Sequence, residues 1–401
     1  MPAGWSWPAP NSTSCWASRS APACVATTRR PGAPPTDTRV TVHRPGYRER
    51  RSTVDRTIPS TQRRVTLVAR PEGAPRLSDF AISAGPVPTP ADGEVLVRTV
   101  YLSLDPYLRG RMGSSATHSS STPMVPLGGV MEGGTVGEVV LSAADGFGPG
   151  DLVAGNSGWQ EYAVQPATAL RRLDPAQAPV STALGILGMP GLTGWTGLVE
   201  IGRPQPGETV VVAAATGVVG SLVGQIARRR GARAVGIAGG PGKVAWLRDA
   251  GFDATVDRRA PDFTEQLAAA TPDGIDVYFE NVGGKVWDEV WPRLNRHARV
   301  PVCGVASAYS ATGRSTGGDM SALLSHLVTR SITIRGFVFH EFAHLRPQFE
   351  AEVSAGLRAG ELAHHEEVVT GLDRASAAFL GMLAGEHLGK RLVQVGPDPT
   401  L

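Results

Sequence analysis

From residue 62 onward, apolar positions fall into short runs separated by turn residues, whereas the first 61 residues show no period at all. The runs at 64–69, 94–103, 125–128, 134–141, 151–154 and 160–164 are rich in β-branched residues and bounded by Gly and Pro. They predict a compact β-barrel-like domain. Beyond Leu184 the rhythm changes to strand-helix alternation. Strands are expected at 209–216, 233–238, 254–257, 275–280, 298–305 and 331–338, each followed by a helical pattern. Six parallel strands of this kind imply a doubly wound α/β sheet that binds ligand at its carboxyl edge. From about Gly360 the pattern reads strand (366–369), helix (375–383), strand (391–395), returning to complete the first domain. The expected organisation is therefore a disordered extension over 1–61, a first domain built from 62–184 and 360–401, and a nucleotide-binding domain over 185–359.

One stretch of this pattern states a chemistry. The apolar run Thr209-Val210-Val211-Val212 leads into Ala215-Thr216-Gly217-Val218-Val219-Gly220, and helical positions Leu222, Val223 and Ile226 follow directly. Strand, tight small-residue turn and helix form a dinucleotide-binding fingerprint, because a pyrophosphate reaches the helix N-terminus only where side chains are small. Ala215 stands where the first glycine usually falls. The next strand, Arg233–Ala238, ends on Gly239-Gly240-Pro241-Gly242-Lys243 with no acidic residue to accept a ribose 2′-hydroxyl. A carboxylate there would repel a 2′-phosphate, whereas Lys243 pairs with one, so the expected cofactor is NADP(H). The chain holds only three lysines. That scarcity sharpens the reading.

Composition changes this picture little. At 401 residues and 41% hydrophobic, the chain can bury one large or two ordinary domains. The formal charge of +3 is misleading, since residues 1–61 carry nine arginines against Asp37, Glu49 and Asp55, leaving the remainder net acidic. Nothing there suggests a nucleic-acid surface. The extension is rich in Pro, Ser, Ala and Arg, and the functional chain is expected to begin near Gln62. Ser114 to Thr122 is polar and expected to form a mobile loop. Cys15, Cys24 and Cys303 offer neither a disulfide framework nor paired metal spacing, which fits a reducing cytoplasm. No secretory signal opens the chain, and the glycines in the apolar run Val210–Ala227 argue against a membrane span. His340-Glu341-Phe342-Ala343-His344 matches the zinc-protease pattern H-E-x-x-H. It directly follows an expected strand with Pro347 close behind, so the two imidazoles are not expected to share the face of a long helix.

The segments Tyr101-Leu-Ser-Leu-Asp-Pro-Tyr-Leu-Arg-Gly-Arg-Met112, Gly188-Met-Pro-Gly-Leu-Thr193, the glycine turn, Gly239–Lys243 and Asp276-Val-Tyr-Phe-Glu-Asn-Val-Gly-Gly284 together carry a resemblance. Over residues 62–395 the chain resembles the medium-chain dehydrogenase/reductase superfamily, specifically its zinc-free prostaglandin reductase and alkenal reductase branch. The resemblance implies a Rossmann domain joined to a GroES-like β-barrel catalytic domain, NADP(H) as cofactor, a homodimer and a cytoplasmic enzyme. It implies that Lys243 meets the 2′-phosphate and that Asn281 lies against the nicotinamide. Arg258 aligns with a tyrosine of the family's phosphate pocket, and His387 stands where the family tends to have asparagine. Tyr309 aligns with a tyrosine near the substrate carbonyl. Val130-Met131-Glu132 replaces the Gly-His-Glu ligand motif of the zinc-dependent members, so metal-free catalysis is expected.

The implied reaction is hydride transfer to the β-carbon of an α,β-unsaturated ketone or aldehyde. Charge then develops on the carbonyl oxygen, stabilised by the Tyr309 hydroxyl or the cofactor's ribose 2′-hydroxyl. Tyr101, Tyr107, Phe337 and Phe339 are candidates for the substrate pocket, while Asp105 and Arg109 are expected to hold a loop against the glycine turn. The competing readings are an NADPH:quinone oxidoreductase, which shares the cofactor site, and a non-catalytic NADPH-binding protein.

Overall fold

The computed structural model describes residues 58–113, 124–309 and 319–401. Most of the expected N-terminal extension and the Ser114–Thr122 loop lie outside the described residues. The first region holds β1 (Thr61–Leu67), β2 (Phe80–Pro86), β3 (Glu94–Ser103), β4 (Thr135–Ser142), β5 (Leu152–Gly155), β6 (Tyr162–Pro166) and β7 (Arg171–Arg172). β1 and β2 pair as an antiparallel ribbon. β3 is the hub of the rest, with β4 antiparallel along one edge. Its other edge is shared, since β6 pairs over Glu94–Arg98 and a strand from the C-terminal segment pairs over Tyr101–Ser103. Seven of its ten side chains are apolar, Thr or Tyr, the exceptions being Glu94, Arg98 and Ser103, and eight are buried, as a strand covered on both faces requires.

The second region is a six-stranded sheet of β8 (Thr209–Val212), β9 (Arg233–Ala238), β10 (Ala254–Asp257), β11 (Ile275–Phe279), β12 (Leu294–Val302) and β13 (Thr333–Gly336). Their spatial order is β10-β9-β8-β11-β12-β13, and every pair is parallel. This is the doubly wound Rossmann arrangement, with its switch point between β8 and β11, where a ligand crevice forms beyond the strand ends. The last strands, β14 (Glu366–Thr370) and β15 (Lys390–Gln394), pair with each other in parallel, and β15 joins β3. The helix Ala375–Leu383 crosses between them and buries Phe379 against Phe80 and Trp159.

Several boundaries differ from the sequence reading. β8 stops at Val212 rather than 216, because the backbone turns at once and Ala214 takes φ +49°. β12 starts at Leu294, four residues early. Its register against β11 shifts between Ile275 and Val277, and His297 has φ +65°. The 125–128 run is not a strand. Gly128, at φ +78°, donates its N–H to the Leu67 carbonyl in a turn, and only the Thr66–Val130 bridge follows. β2 and β7 carried no readable pattern. β2 alternates, but its outward Ile82 is exposed and its less exposed positions after Phe80 are the small residues Ala81, Ser83 and Gly85.

Candidate active site

The end of β8 is fastened on both sides before the turn begins. Ala213 N–H bonds the Phe279 carbonyl on β11, and Ala215 N–H bonds the Ile237 carbonyl on β9. Gly217 then caps the helix Val218–Arg229, whose Leu222, Val223 and Ile226 are wholly buried. Each such side chain contributes roughly 1.5–3 kcal/mol by leaving water. Gly220 permits the close approach of helix to turn: a Cβ there would lie 2.7 Å from the Ala214 carbonyl oxygen and 2.8 Å from Ala215 Cα. The alanine at 215 is accommodated by a second glycine. A Cβ on Gly236 of β9 would sit 3.1 Å from the Ala215 methyl, so β9 leaves the space that the usual first glycine would have left. Thr216 is buried, while Gly217, Val218 and Val219 line the half-open mouth where the first helical N–H groups have no intrahelical acceptor.

At the end of β9 the structure gathers positive charge. Asp257, closing β10, accepts hydrogen bonds from Gly240 N–H (2.8 Å) and Arg259 N–H (2.9 Å), and Arg258 N–H bonds the Ala238 carbonyl. Both guanidinium groups consequently lie over Gly239, where a Cβ would meet Arg259 Nε at 3.0 Å and Arg258 Nε at 3.3 Å. Lys243, in the first turn of the helix Pro241–Asp249, donates to the Gly385 carbonyl at 2.8 Å. Burial pushes its ammonium below the ordinary lysine value, and Arg259 and Arg258 push it further, against a smaller opposing pull from Glu367.

The loop 384–389 ties this cluster to the glycine turn through Gly389 N–H and the Thr216 carbonyl, at 3.1 Å. Within the loop stands His387, with its Nδ1 buried and without a hydrogen-bond partner in the described structure. Burial, then Lys243 and Arg391, lower its pKa to about 4. A cluster of cations around an orphaned polar atom fits a 2′-phosphate: Lys243, Arg258 and Arg259 would hold it, and the turn at 215–220 would seat the pyrophosphate. Arg259 was not singled out from the sequence. Its only signal was the neighbouring arginine at a strand end.

At the end of β11, Asn281 donates its side-chain amide to the Ala213 carbonyl at 2.8 Å, binding this turn to the one after β8. Glu280 beside it is nearly inaccessible, and its carboxylate accepts from Val282 N–H (2.6 Å), Gly283 N–H (2.9 Å) and the Tyr278 hydroxyl (3.1 Å). Burial raises the Glu280 pKa, and those bonds oppose it. Tyr309 reaches the same place. Its hydroxyl lies 3.1 Å from where a Gly304 Cβ would be, and the Asn281 carbonyl oxygen is 3.5 Å from the same point. Burial, reinforced by Cys303, raises the Tyr309 pKa, so the hydroxyl keeps its proton well past neutrality. The Cys303 thiol is pushed by burial to about 12, which makes it unreactive.

The four candidates for the substrate pocket take different positions. Tyr101 donates to Asp398 at 2.9 Å and lies by the Pro175–Pro179 segment and the C-terminal residues. Tyr107 is 42% exposed at the start of the short helix Leu108–Arg111. Phe337 is buried edge-on against Phe279 and Phe342, in the hydrophobic core of the Rossmann region. Phe339 is half-buried, with its ring 3.8 Å from that of His340. Arg109 does not reach the glycine turn but grips the Pro71 and Gly73 carbonyls. Asp105 acts on the turn at one remove, holding the buried Lys390 at 2.8 Å beside Gly389. The His340–His344 stretch forms a 3-10 turn broken at Phe342, and its Glu341 is engaged by Arg335 and Val338 N–H. Among the described residues, no three His, Cys, Asp or Glu side chains converge where a metal could be held.

Known proteins share this architecture. A family model described as the N-terminal domain of oxidoreductase matches residues 63–173, and one described as zinc-binding dehydrogenase matches 218–355. The NADPH-dependent curcumin reductase of Escherichia coli (strain K12) is 45% identical over 339 residues, 84% of this chain and 97% of that protein. The 2-alkenal reductase (NADP(+)-dependent) of Nicotiana tabacum is 38% identical over 308 residues, 76% of this chain and 88% of that one. The crystal structure of CurA in complex with NADPH from Vibrio vulnificus superposes with a TM-score of 0.80 at 45% identity, covering 84% of this chain and all of that one. The fold and the turn define a two-domain, nucleotide-dependent dehydrogenase/reductase. Within that class, the chain belongs to the zinc-free prostaglandin reductase and alkenal reductase branch of the medium-chain superfamily.

Proposed function

We propose that this chain uses NADPH to reduce the C=C bond of α,β-unsaturated ketones and aldehydes without a metal. The observation that carries the reading is the placement of a cationic cluster past the β9 end and a protonated tyrosine hydroxyl by the turn after β11, on either side of the glycine turn that follows β8. The kinship to an NADPH-dependent curcumin reductase and a 2-alkenal reductase supports the substrate class. NADPH, when bound, supplies the hydride. The protein's part is to seat the nucleotide on the 215–220 turn and to keep Asn281 and Glu280 fixed beneath the reacting end. Tyr309 meets the charge that develops on the substrate carbonyl oxygen as the β-carbon is reduced. A donor placed before the charge arrives contributes roughly 10²–10³-fold in rate, because it needs no reorganisation.

Tyr309→Phe is therefore expected to lower kcat with an enone by about 100-fold. NADPH binding should hold. Steady-state kinetics alongside a fluorescence titration of NADPH would check this, and unchanged turnover would remove Tyr309 from the mechanism. Because its pKa is raised, wild-type turnover should not fall through mildly alkaline pH by loss of this proton.

The open edge of the Rossmann sheet supports a homodimer. Among the described residues β13 pairs only with β12, and all four of its residues are exposed. Ile334, with Leu324 and Val328 of the helix Met320–Arg330, leaves apolar side chains on the surface, Val328 at 80%. A second copy related by two-fold symmetry would complete the edge and cover that face. Val328→Arg is expected to shift the chain from dimer to monomer in sedimentation equilibrium, and a wild-type monomer at micromolar concentration would rule the dimer out. Cys303 is a free thiol, in keeping with a reducing cytoplasm.

A further inference from the structure

His387 differs in kind from the cations around it. Lys243 reaches it from the helix Pro241–Asp249, Lys390 and Arg391 from β15, and Glu367 from β14. Each of these has a fixed partner. Lys243 bonds the Gly385 carbonyl, Lys390 bonds Asp105 and the Leu104 carbonyl, and Arg391 pairs with Glu367 and reaches the Glu386 carbonyl. Glu367 also accepts from Leu388 N–H at 2.8 Å, fixing the backbone next to the histidine. Arg391 keeps a buried Nε without a bond but is held through its Nη2, whereas the imidazole keeps a buried Nδ1 without a bond and has no charged partner that fixes it in the described structure. Arg258 and Arg259, lying over Gly239, complete the ring of positive charge on the side facing Lys243.

We propose that His387 reads the cofactor's 2′-phosphate by proton uptake: the imidazole is neutral in the free protein and takes one proton from solvent as the dianion enters. The inference rests on NADP(H) being the cofactor and extends it to a coupling carried by a residue that this chain has in place of the family's asparagine. The physical basis is a reversal of the local field. Without the phosphate, burial and neighbouring cations disfavour a charged ring and hold its pKa near 4. Two negative charges arriving among those cations cancel their repulsion, and Nδ1–H gains an acceptor. A ligand that raises a group's pKa binds more tightly at low pH. Between the free and bound pKa values, affinity for the 2′-phosphorylated nucleotide should fall by up to tenfold per pH unit. Nucleotides with a plain 2′-hydroxyl should show no such slope.

Isothermal titration calorimetry at pH 6.5, in buffers of low and high ionisation enthalpy, counts the protons. Adenosine 2′,5′-bisphosphate and NADPH serve as probes, with NADH as the unphosphorylated reference. The free phosphate itself releases protons when bound as the dianion, so the quantity read is wild type minus His387→Asn. The expected difference approaches one proton taken up with both phosphorylated probes and vanishes with NADH. An equal count in the two proteins would overturn the proposal, whereas failure of NADPH to bind either protein would instead overturn the cofactor reading. Should the variant not fold, the imidazole resonances of wild-type protein, titrated with and without adenosine 2′,5′-bisphosphate, give the same answer. The His387 titration should move upward by more than about three pH units when the probe is present, as an uptake near one proton at pH 6.5 requires, and an unmoved titration would refute the coupling.

Discussion

Lys243→Glu is expected to weaken NADPH binding by two to three orders of magnitude while leaving NADH binding unchanged or improved. The lysine is the one cation of the proposed 2′-phosphate cluster placed in the first turn of the helix after β9, with Arg258 and Arg259 across Gly239. Losing a charge-assisted hydrogen bond costs about 1.5–3 kcal/mol. Placing a carboxylate near a dianion adds a repulsion of similar order, even at the effective dielectric of a protein surface. With a factor of ten for each ~1.4 kcal/mol, the loss reaches the stated range. A 2′-hydroxyl, by contrast, can donate to the new carboxylate. Parallel titrations with the two nucleotides measure the ratio, and an unaltered preference would show that Lys243 lies outside the cofactor site.

Gly220→Ala should abolish binding of both nucleotides alike, and this separates the two substitutions. The added methyl would meet the Ala214 carbonyl oxygen at 2.7 Å and Ala215 Cα at 2.8 Å. Neither can retreat, because Ala213 and Ala215 are bonded to the neighbouring strands β11 and β9, and Ala214 already occupies the left-handed region at φ +49°. The helix must therefore back away from the turn, carrying its N-terminal N–H groups with it. Overpacking of this kind costs about 1–3 kcal/mol, or more against rigid backbone. A lowered midpoint in thermal unfolding with at least 100-fold weaker NADPH binding is the expected pair of results, since displaced donors lose the pyrophosphate outright. Gly217→Ala is the contrast, with its nearest atom, the Ala214 oxygen, at 3.4 Å. Its stability should change by about 1 kcal/mol or less. Wild-type stability and binding in Gly220→Ala would mean that the turn is looser than its bonding indicates.

How much of this was legible in the chain depended on whether a residue's role was local. The β-branched run 209–212, the small turn and the helical positions after it follow from sterics within a dozen residues, and the parallel sheet emerged from their repetition. The return of β14 and β15 to β3 was readable because strand, helix and strand each had their own period. β2 was not, since its exposed face carries Ile82 and its other face, after Phe80, is Ala81, Ser83 and Gly85, so alternation is blurred. The Val125–Gly128 run misled in the opposite direction. Its apolar residues serve a turn whose geometry is set by a hydrogen bond to Leu67, about sixty positions away.

The site shows the same division. Lys243 could be found by asking what ends the second strand, but Arg259 becomes a neighbour only through the Asp257 turn. Gly236, which makes room for Ala215, lies one strand over and carries no signal of its own. Tyr101 shows how a motif can be right about family and silent about role: its hydroxyl is held by Asp398, nearly three hundred residues on. Phe337 belongs to the core around Phe279, whereas only its position after a strand suggested a pocket wall.

The most direct test of the central claim follows the hydride. Protein washed with a strong chelator, given NADPH deuterated at the transferable C4 position and a simple enone, should yield the saturated ketone with deuterium on the β-carbon and the carbonyl intact. Deuterium on the carbonyl carbon of an alcohol, or no consumption of NADPH without added metal, would contradict the account.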